Sequence, residues 1–203
     1  MARVLMIGAV YYARQVADAL VEAGCLTDVL TIRPDQRERE PGWQEFPGHV
    51  VHHDITTVPY PDLIVVAGWR RLIPANVLAM PRLGTVGFHS AKLPEYPGRA
   101  PVPWTLLRGD ALAWNTMLFL DGGIDTGDII DERSTLVMPG TDPWELYRWI
   151  ADSSVWMLME HLPALLAGRA RRRPQDMSRR GPLTTADGWN AWAERERMAA
   201  GHA

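Results

Sequence analysis

Asp62-Leu-Ile-Val-Val-Ala-Gly68 is an apolar, largely β-branched run with turn formers at both ends. A run with no polar face predicts a strand covered on both sides, as in a parallel sheet flanked by helices. Toward the N-terminus, residues 3–7 read as a buried first strand, Gly8 as a turn and residues 13–23 as a helix ended by Gly24. Residues 27–32 predict a second strand and 49–52 a short third. The charged stretch 35–47, with Pro41, Gly42 and Pro47, predicts an exposed connection.

Toward the C-terminus, Pro74 opens a short helix, residues 84–88 form the next strand, and a helix begins at 103–107. Residues 114–120 and 129–137 predict two more strands. Asp142-Pro143-Trp144-Glu145 is a helix start with an N-cap, a first-turn proline and a capping-box glutamate. Leu146, Trp149, Ile150 and Met157 then recur at helical spacing, and Pro163 predicts a kink or restart before Gly168. Trp149 and Trp156, one heptad apart, read as core or interface. Strands alternating with helices imply an α/β, Rossmann-like, mainly parallel sheet with flanking helices, which binds ligands beyond the carboxyl ends of its strands.

A chain of 203 residues, 47% hydrophobic, is long enough for one substantial core. We expect a core domain over 1–168 and a basic, irregular tail over 169–203. The tail's arginines read either as a solvated segment or as an anion contact. A net charge of −3 argues against nucleic acid or an anionic membrane as partner. The single cysteine, Cys25, excludes an internal disulfide, and the apolar N-terminal stretch is too short for a secretory segment. No run reaches membrane-spanning length. These features predict a soluble cytoplasmic protein.

Two segments carry chemistry. Val86-Gly-Phe-His-Ser-Ala-Lys-Leu-Pro-Glu-Tyr-Pro-Gly-Arg-Ala-Pro101 places His89 where a strand gives way to a loop. Asp121-Gly-Gly-Ile-Asp-Thr-Gly-Asp128 supplies Asp125 from a later turn. An imidazole and a carboxylate converging at one sheet edge suit acyl transfer. Other motifs fail. Gly8-Ala-Val-Tyr-Tyr-Ala-Arg14 lacks the later glycines of a dinucleotide fingerprint. Adjacent His52 and His53 point to opposite faces of a strand, so no metal site is expected there. Asp121 and Asp128 read as turn residues, and Ser90 as a loop hydrogen-bonding group with no base beside it.

Gly68-Trp-Arg-Arg-Leu-Ile-Pro74, the loop from His89 to Pro101, and Gly123-Ile-Asp-Thr-Gly-Asp-Ile-Ile130 together resemble the N-formyltransferases that use 10-formyltetrahydrofolate. Arg180-Gly-Pro-Leu-Thr-Thr-Ala-Asp-Gly188 resembles the stretch that follows their core domain. The resemblance implies the formyltransferase catalytic-core fold, 10-formyltetrahydrofolate as formyl donor, and His89 and Asp125 as catalytic groups. It implies that Trp69, Arg70, Leu72, Ile73 and Asp121 line the folate side, with Trp69 equally open to a core role. Tyr96, Arg99 and Trp104 fall beside the expected acceptor pocket, Arg99 being open also to a structural ion pair. The family's methionyl-tRNA enzymes carry a further C-terminal β-barrel for which these 203 residues leave no room. The expected partner is therefore a small-molecule amine on a nucleotide sugar or derived from an amino acid, and a homodimer is admitted. One position departs: the family's catalytic asparagine falls at Gly87. Either a backbone N–H, a water or another side chain replaces its amide, or the protein is a folate-binding pseudoenzyme. A one-carbon or acyl transferase with a different donor is the remaining alternative.

Overall fold

A computed structural model describes residues 2–39 and 42–200. The expected turn residue Pro41 and the last three residues of the tail lie outside them. The strands are β1 Arg3–Ile7, β2 Leu26–Leu30, β3 Val50–His52, β4 Leu63–Val66, β5 Thr85–His89, β6 Leu112–Phe119 and β7 Ile129–Leu136. They form one sheet in the order β3-β2-β1-β4-β5-β6-β7. The first five are parallel, and β6 and β7 run antiparallel. The helices are α1 Ala13–Glu22, α2 Ala75–Leu78, α3 Pro101–Arg108, α4 Pro143–Leu166 and α5 Gly188–Ala200. Among the described residues, no helix is long and apolar enough to cross a membrane.

The doubly covered sheet explains the apolar runs. Val4, Met6, Leu63, Val65 and Val86 meet α1 and α4 on one face, while Leu5, Ile7, Ile64 and Val66 meet Val77 of α2 on the other. Each such side chain, fully buried, contributes about 1.5–3 kcal/mol. Helix α1 buries Ala13, Val16, Ala17 and Leu20, a single stripe at helical spacing. It stops at Gly24, whose φ of 78° most side chains disfavour. At the head of α4, Asp142 accepts from the N–H groups of Trp144 and Glu145 at 2.6 and 2.9 Å, and Glu145 accepts back from the Asp142 N–H.

Three expectations are corrected. Helix α4 is continuous through Pro163 to Leu166, so there is no restart; the proline withdraws a single N–H from the ladder, one turn from the helix end. Trp156 is 55% exposed, with the Arg133 guanidinium 4.1 Å from its ring centroid, and is not core. The tail is irregular only in part: α5 closes it, packing on α3, with Arg195 donating to the Leu106 carbonyl at 2.9 Å. The same carbonyl also accepts from the Gly109 N–H at 3.2 Å, so Arg195 adds a second donor at the end of α3.

Candidate functional site

Alternation along β5 puts Thr85, Gly87 and His89 on the face opposite Val86, with His89 at the carboxyl end of the strand. His89 is buried. Its Nε2 lies 2.8 Å from the Tyr96 carbonyl oxygen. A carbonyl only accepts, so Nε2 carries the proton and is committed to that bond. Nδ1 faces Asp125, 3.7 Å from Oδ1. This is beyond hydrogen-bond range and within that of an ion pair once Nδ1 is protonated. The ring nitrogen available for chemistry is therefore Nδ1.

The loop after His89 is held from beneath by Thr116, which pairs with His89 across β5 and β6 and donates to the Ala91 carbonyl at 2.7 Å. Asp125 sits in a turn with a φ of 54°, a left-handed conformation uncommon outside glycine. Its Oδ2 accepts from the Gly98 N–H at 2.8 Å, which ties the turn to the His89 loop. Gly127 is required: a Cβ there would lie 1.9 Å from the Phe119 carbonyl oxygen.

The other expected site residues divide. Asp121 accepts from the Gly123 N–H and the Thr126 hydroxyl at 2.9 and 2.6 Å, which shapes the turn. Tyr96 contributes its carbonyl to His89, and its ring lies under the Arg108 guanidinium at 4.1 Å. Trp104 donates its indole N–H to the Thr185 carbonyl at 3.0 Å and packs against Gly188, so the tail engages it. Arg99 is exposed, and its guanidinium has no partner among the described residues. At the end of β4, Leu72 is 82% exposed, Ile73 is half-buried, and Arg70 lies over the Tyr11 ring. Trp69 packs against two core clusters, with its buried indole N–H unpartnered.

At Gly87, an added Cβ would lie 3.2–3.4 Å from Cδ1, Cδ2 and Cγ of Leu120. A leucine thus covers the place where a side chain at 87 would emerge. Farther along the same edge, beyond β2 and β3, a hollow of about 300 Å³ is lined by residues including Thr31, Arg37, Trp43, Glu45 and His53. Arg37 lies on the Trp43 ring at 3.9 Å. The Arg37 Nε–H, the Trp43 indole N–H and the Thr31 hydroxyl lack hydrogen-bond partners. A possible ligand set elsewhere, Asp131, Glu160 and His161, is already cross-linked by Arg133, which reaches both carboxylates at 2.8 and 2.9 Å. Near the core, burial pushes the Tyr12 hydroxyl up to about 12, so it stays neutral.

Sequence reasoning missed the tail's part in this site. Gln175 donates to the carbonyls of Asp125 and Gly127 at 2.9 and 2.8 Å, and Arg180 to that of Ile124 at 2.8 Å. Thr184 donates to the Pro97 carbonyl and exchanges hydrogen bonds with Arg99. The tail's arginines are mostly exposed, as the solvated reading expects, and several also make contacts within the chain: Arg173 with Glu132, Arg179 with Glu95, and Arg172 over Phe119. No periodic signal marked Gln175. Only its place beside Pro174, in a non-helical stretch, offered a hint.

Residues 52–162 match the formyl transferase family. Methionyl-tRNA formyltransferase of Syntrophus aciditrophicus is 36% identical over 137 residues, which is 66% of this chain and 44% of that protein. The chain spans less than half the length of the curated relatives it matches. Among solved structures, formyltransferase PseJ from Anoxybacillus kamchatkensis, in complex with a UDP-linked formamido sugar and tetrahydrofolate, superposes with a TM-score of 0.67. It is 18% identical, over 95% of this chain and 90% of that one. HypX from Aquifex aeolicus, in complex with tetrahydrofolic acid, gives a TM-score of 0.70 at 19% identity, over 90% of this chain and 29% of that one. These two likenesses speak to the fold.

Proposed function

Because this chain belongs to the formyl transferase family, we propose that it moves a formyl group from 10-formyltetrahydrofolate to a primary amine of a small molecule, with His89 and Asp125 as its catalytic groups. The observation that carries this reading is the buried imidazole whose Nε2 is committed to a carbonyl while Nδ1 faces a carboxylate.

In the proposed reaction the amine lone pair attacks the formyl carbon and forms the new C–N bond. The carbonyl electron pair moves onto oxygen, and a proton on His89 Nδ1 stabilises the resulting oxyanion. Asp125 balances the imidazolium and takes the proton leaving the amine, directly or through water. Collapse of the intermediate breaks the bond to the folate nitrogen, which leaves with a proton as tetrahydrofolate, and the product is a formamide. The exposed 70–72 stretch and the unpartnered Trp69 N–H, at the strand end next to His89, suit the folate side.

The hollow beyond β2 supports an acceptor that carries an anion, since its unpartnered donors include a guanidinium. It lies three to four strands from β5, roughly 14–19 Å at the usual strand spacing, within the span of a nucleotide-linked amine. The net charge of −3 favours a small acceptor over tRNA.

The test is amine-dependent release of tetrahydrofolate, with amino sugars on nucleotides, amino-acid-derived amines and methionyl-tRNA as separate arms. His89→Ala should lower release by roughly 100- to 10,000-fold; full activity in that variant would end the mechanism. Leu120 over Gly87 favours a second reading, a folate-binding protein without turnover. Folate binding with no release in any arm would establish it.

A further inference from the structure

The tail runs across both loops that form the candidate site. It enters by a mutual pair of hydrogen bonds between Arg173 and Ile129, both 2.9 Å. Two residues later, Gln175 reaches the Asp125 turn. A carboxamide nitrogen has two hydrogens, and here each is directed to a carbonyl, those of Asp125 and Gly127. These bonds hold the residue with the left-handed φ and the one two places on, while Arg180 donates to the preceding Ile124 carbonyl at 2.8 Å. The tail then crosses to the His89 loop. Gly181 donates to the Pro94 carbonyl at 3.2 Å and Thr184 to the Pro97 carbonyl at 2.9 Å. Gly98 lies so close to Thr184 that a Cβ would come within 2.5 Å of its carbonyl oxygen. Gly98 is also the residue whose N–H holds Asp125 Oδ2.

We propose that Gln175 is a positioning residue, which holds the Asp125 turn in the conformation that sets the carboxylate against His89 Nδ1. The inference rests on the proposed roles of His89 and Asp125. Gln175 donates only to main-chain carbonyls of the turn and acts through Asp125. Without its two donors the strained φ loses support, and the carboxylate swings away from the imidazole. A misplacement of about 1 Å at reacting groups costs roughly 100-fold in rate.

The experiment compares Gln175→Met, which keeps the length and removes both donors, with Gln175→Glu, which regains one donor only when its carboxyl is protonated. Expected at pH 8 is a fall in kcat of about 100-fold in both, with KM for the folate within about 3-fold of the parent. As pH is lowered toward 5, the ratio of Gln175→Glu to Gln175→Met activity should rise, a change that loss of packing alone would not produce. Imidazole 15N resonances of His89 should shift in both variants.

Parent kcat in both folded variants would overturn the proposal. So would a constant activity ratio across pH, or failure of both variants to fold, which would make Gln175 a determinant of the fold. If the parent releases no tetrahydrofolate with any amine, the formyl-transfer reading falls by itself. The His89 resonances then decide the positioning role, since unchanged resonances in the variants refute it and shifted ones support it.

Discussion

Gly87→Asn, alone and together with Leu120→Ala, separates a missing oxyanion donor from a space put to another use. Gly87 lies within β5 at an ordinary strand conformation, so an asparagine meets no backbone strain there. It meets Leu120, whose three nearest side-chain carbons lie 3.2–3.4 Å from the new Cβ. Those contacts are tight for the Cβ alone, and the amide beyond it needs volume that the leucine occupies. Overpacking of this kind costs about 1–3 kcal/mol. In a chain of this size the single variant should melt lower by roughly 2–4 °C for each kcal/mol lost.

Truncating Leu120 to alanine sacrifices a half-buried side chain, at a cost somewhat below the 2–5 kcal/mol typical of a fully buried leucine. It also vacates the volume the amide requires. The two changes should therefore be non-additive in stability, with a coupling of about 0.5–3 kcal/mol in favour of the pair. If the amide then reaches the formyl oxygen, turnover in the double variant should exceed that of Leu120→Ala alone by about 100- to 1,000-fold. The assays are thermal melting for the four proteins of the cycle and tetrahydrofolate release under saturating amine. A folded, folate-binding double variant no faster than Leu120→Ala would refute the argument that an absent side-chain donor limits this site.

Two further outcomes follow from particular side chains. Asp62 accepts from the Arg3 N–H and from Arg82, bonds that hold its carboxyl below the usual value. A lowered folded-state value means that its stabilisation is full above the unfolded pKa near 4 and is lost as pH falls through the folded value. In urea unfolding, Asp62→Asn should therefore be less stable than the parent at pH 7, and the gap should close toward pH 2; a gap that widened in acid would contradict the assignment. Arg37→Ala should raise KM for a phosphate-bearing amine while leaving an uncharged amine unaffected. Equal effects on both would remove the hollow beyond β2 from the acceptor site.

Much of the fold is legible in the residues because burial leaves a local record. The run 62–68 has no polar face because its strand is covered on both sides. The start of α4 is legible because its cap is a contact between near neighbours, Asp142 and Glu145. Pro163 and α5 were misread for a related reason. A proline one turn from a helix end removes a single ladder hydrogen bond, which the packing of so long a helix offsets. Helix α5 carries too weak an apolar stripe to announce a helix whose support comes from docking on α3.

The site divides in the same way. His89 and Asp125 were legible by residue type and motif, since an imidazole and a carboxylate are distinctive side chains. Their mutual geometry depends on main-chain groups: the Tyr96 carbonyl that commits Nε2, the Gly98 N–H on Asp125, and the turn carbonyls that Gln175 holds. Gly87 is another such case, since a glycine in the sequence does not show that Leu120 lies over it.

The sequence by itself determined the doubly covered parallel sheet, the strand end that presents His89, and the pairing of a histidine with a later aspartate. Burial and side-chain chemistry are encoded residue by residue. Only the tertiary structure decided which ring nitrogen is free, what covers Gly87, and that the tail braces both loops. Those follow from backbone hydrogen bonds between segments far apart in the chain, whose partners are chosen by where the folded chain brings them.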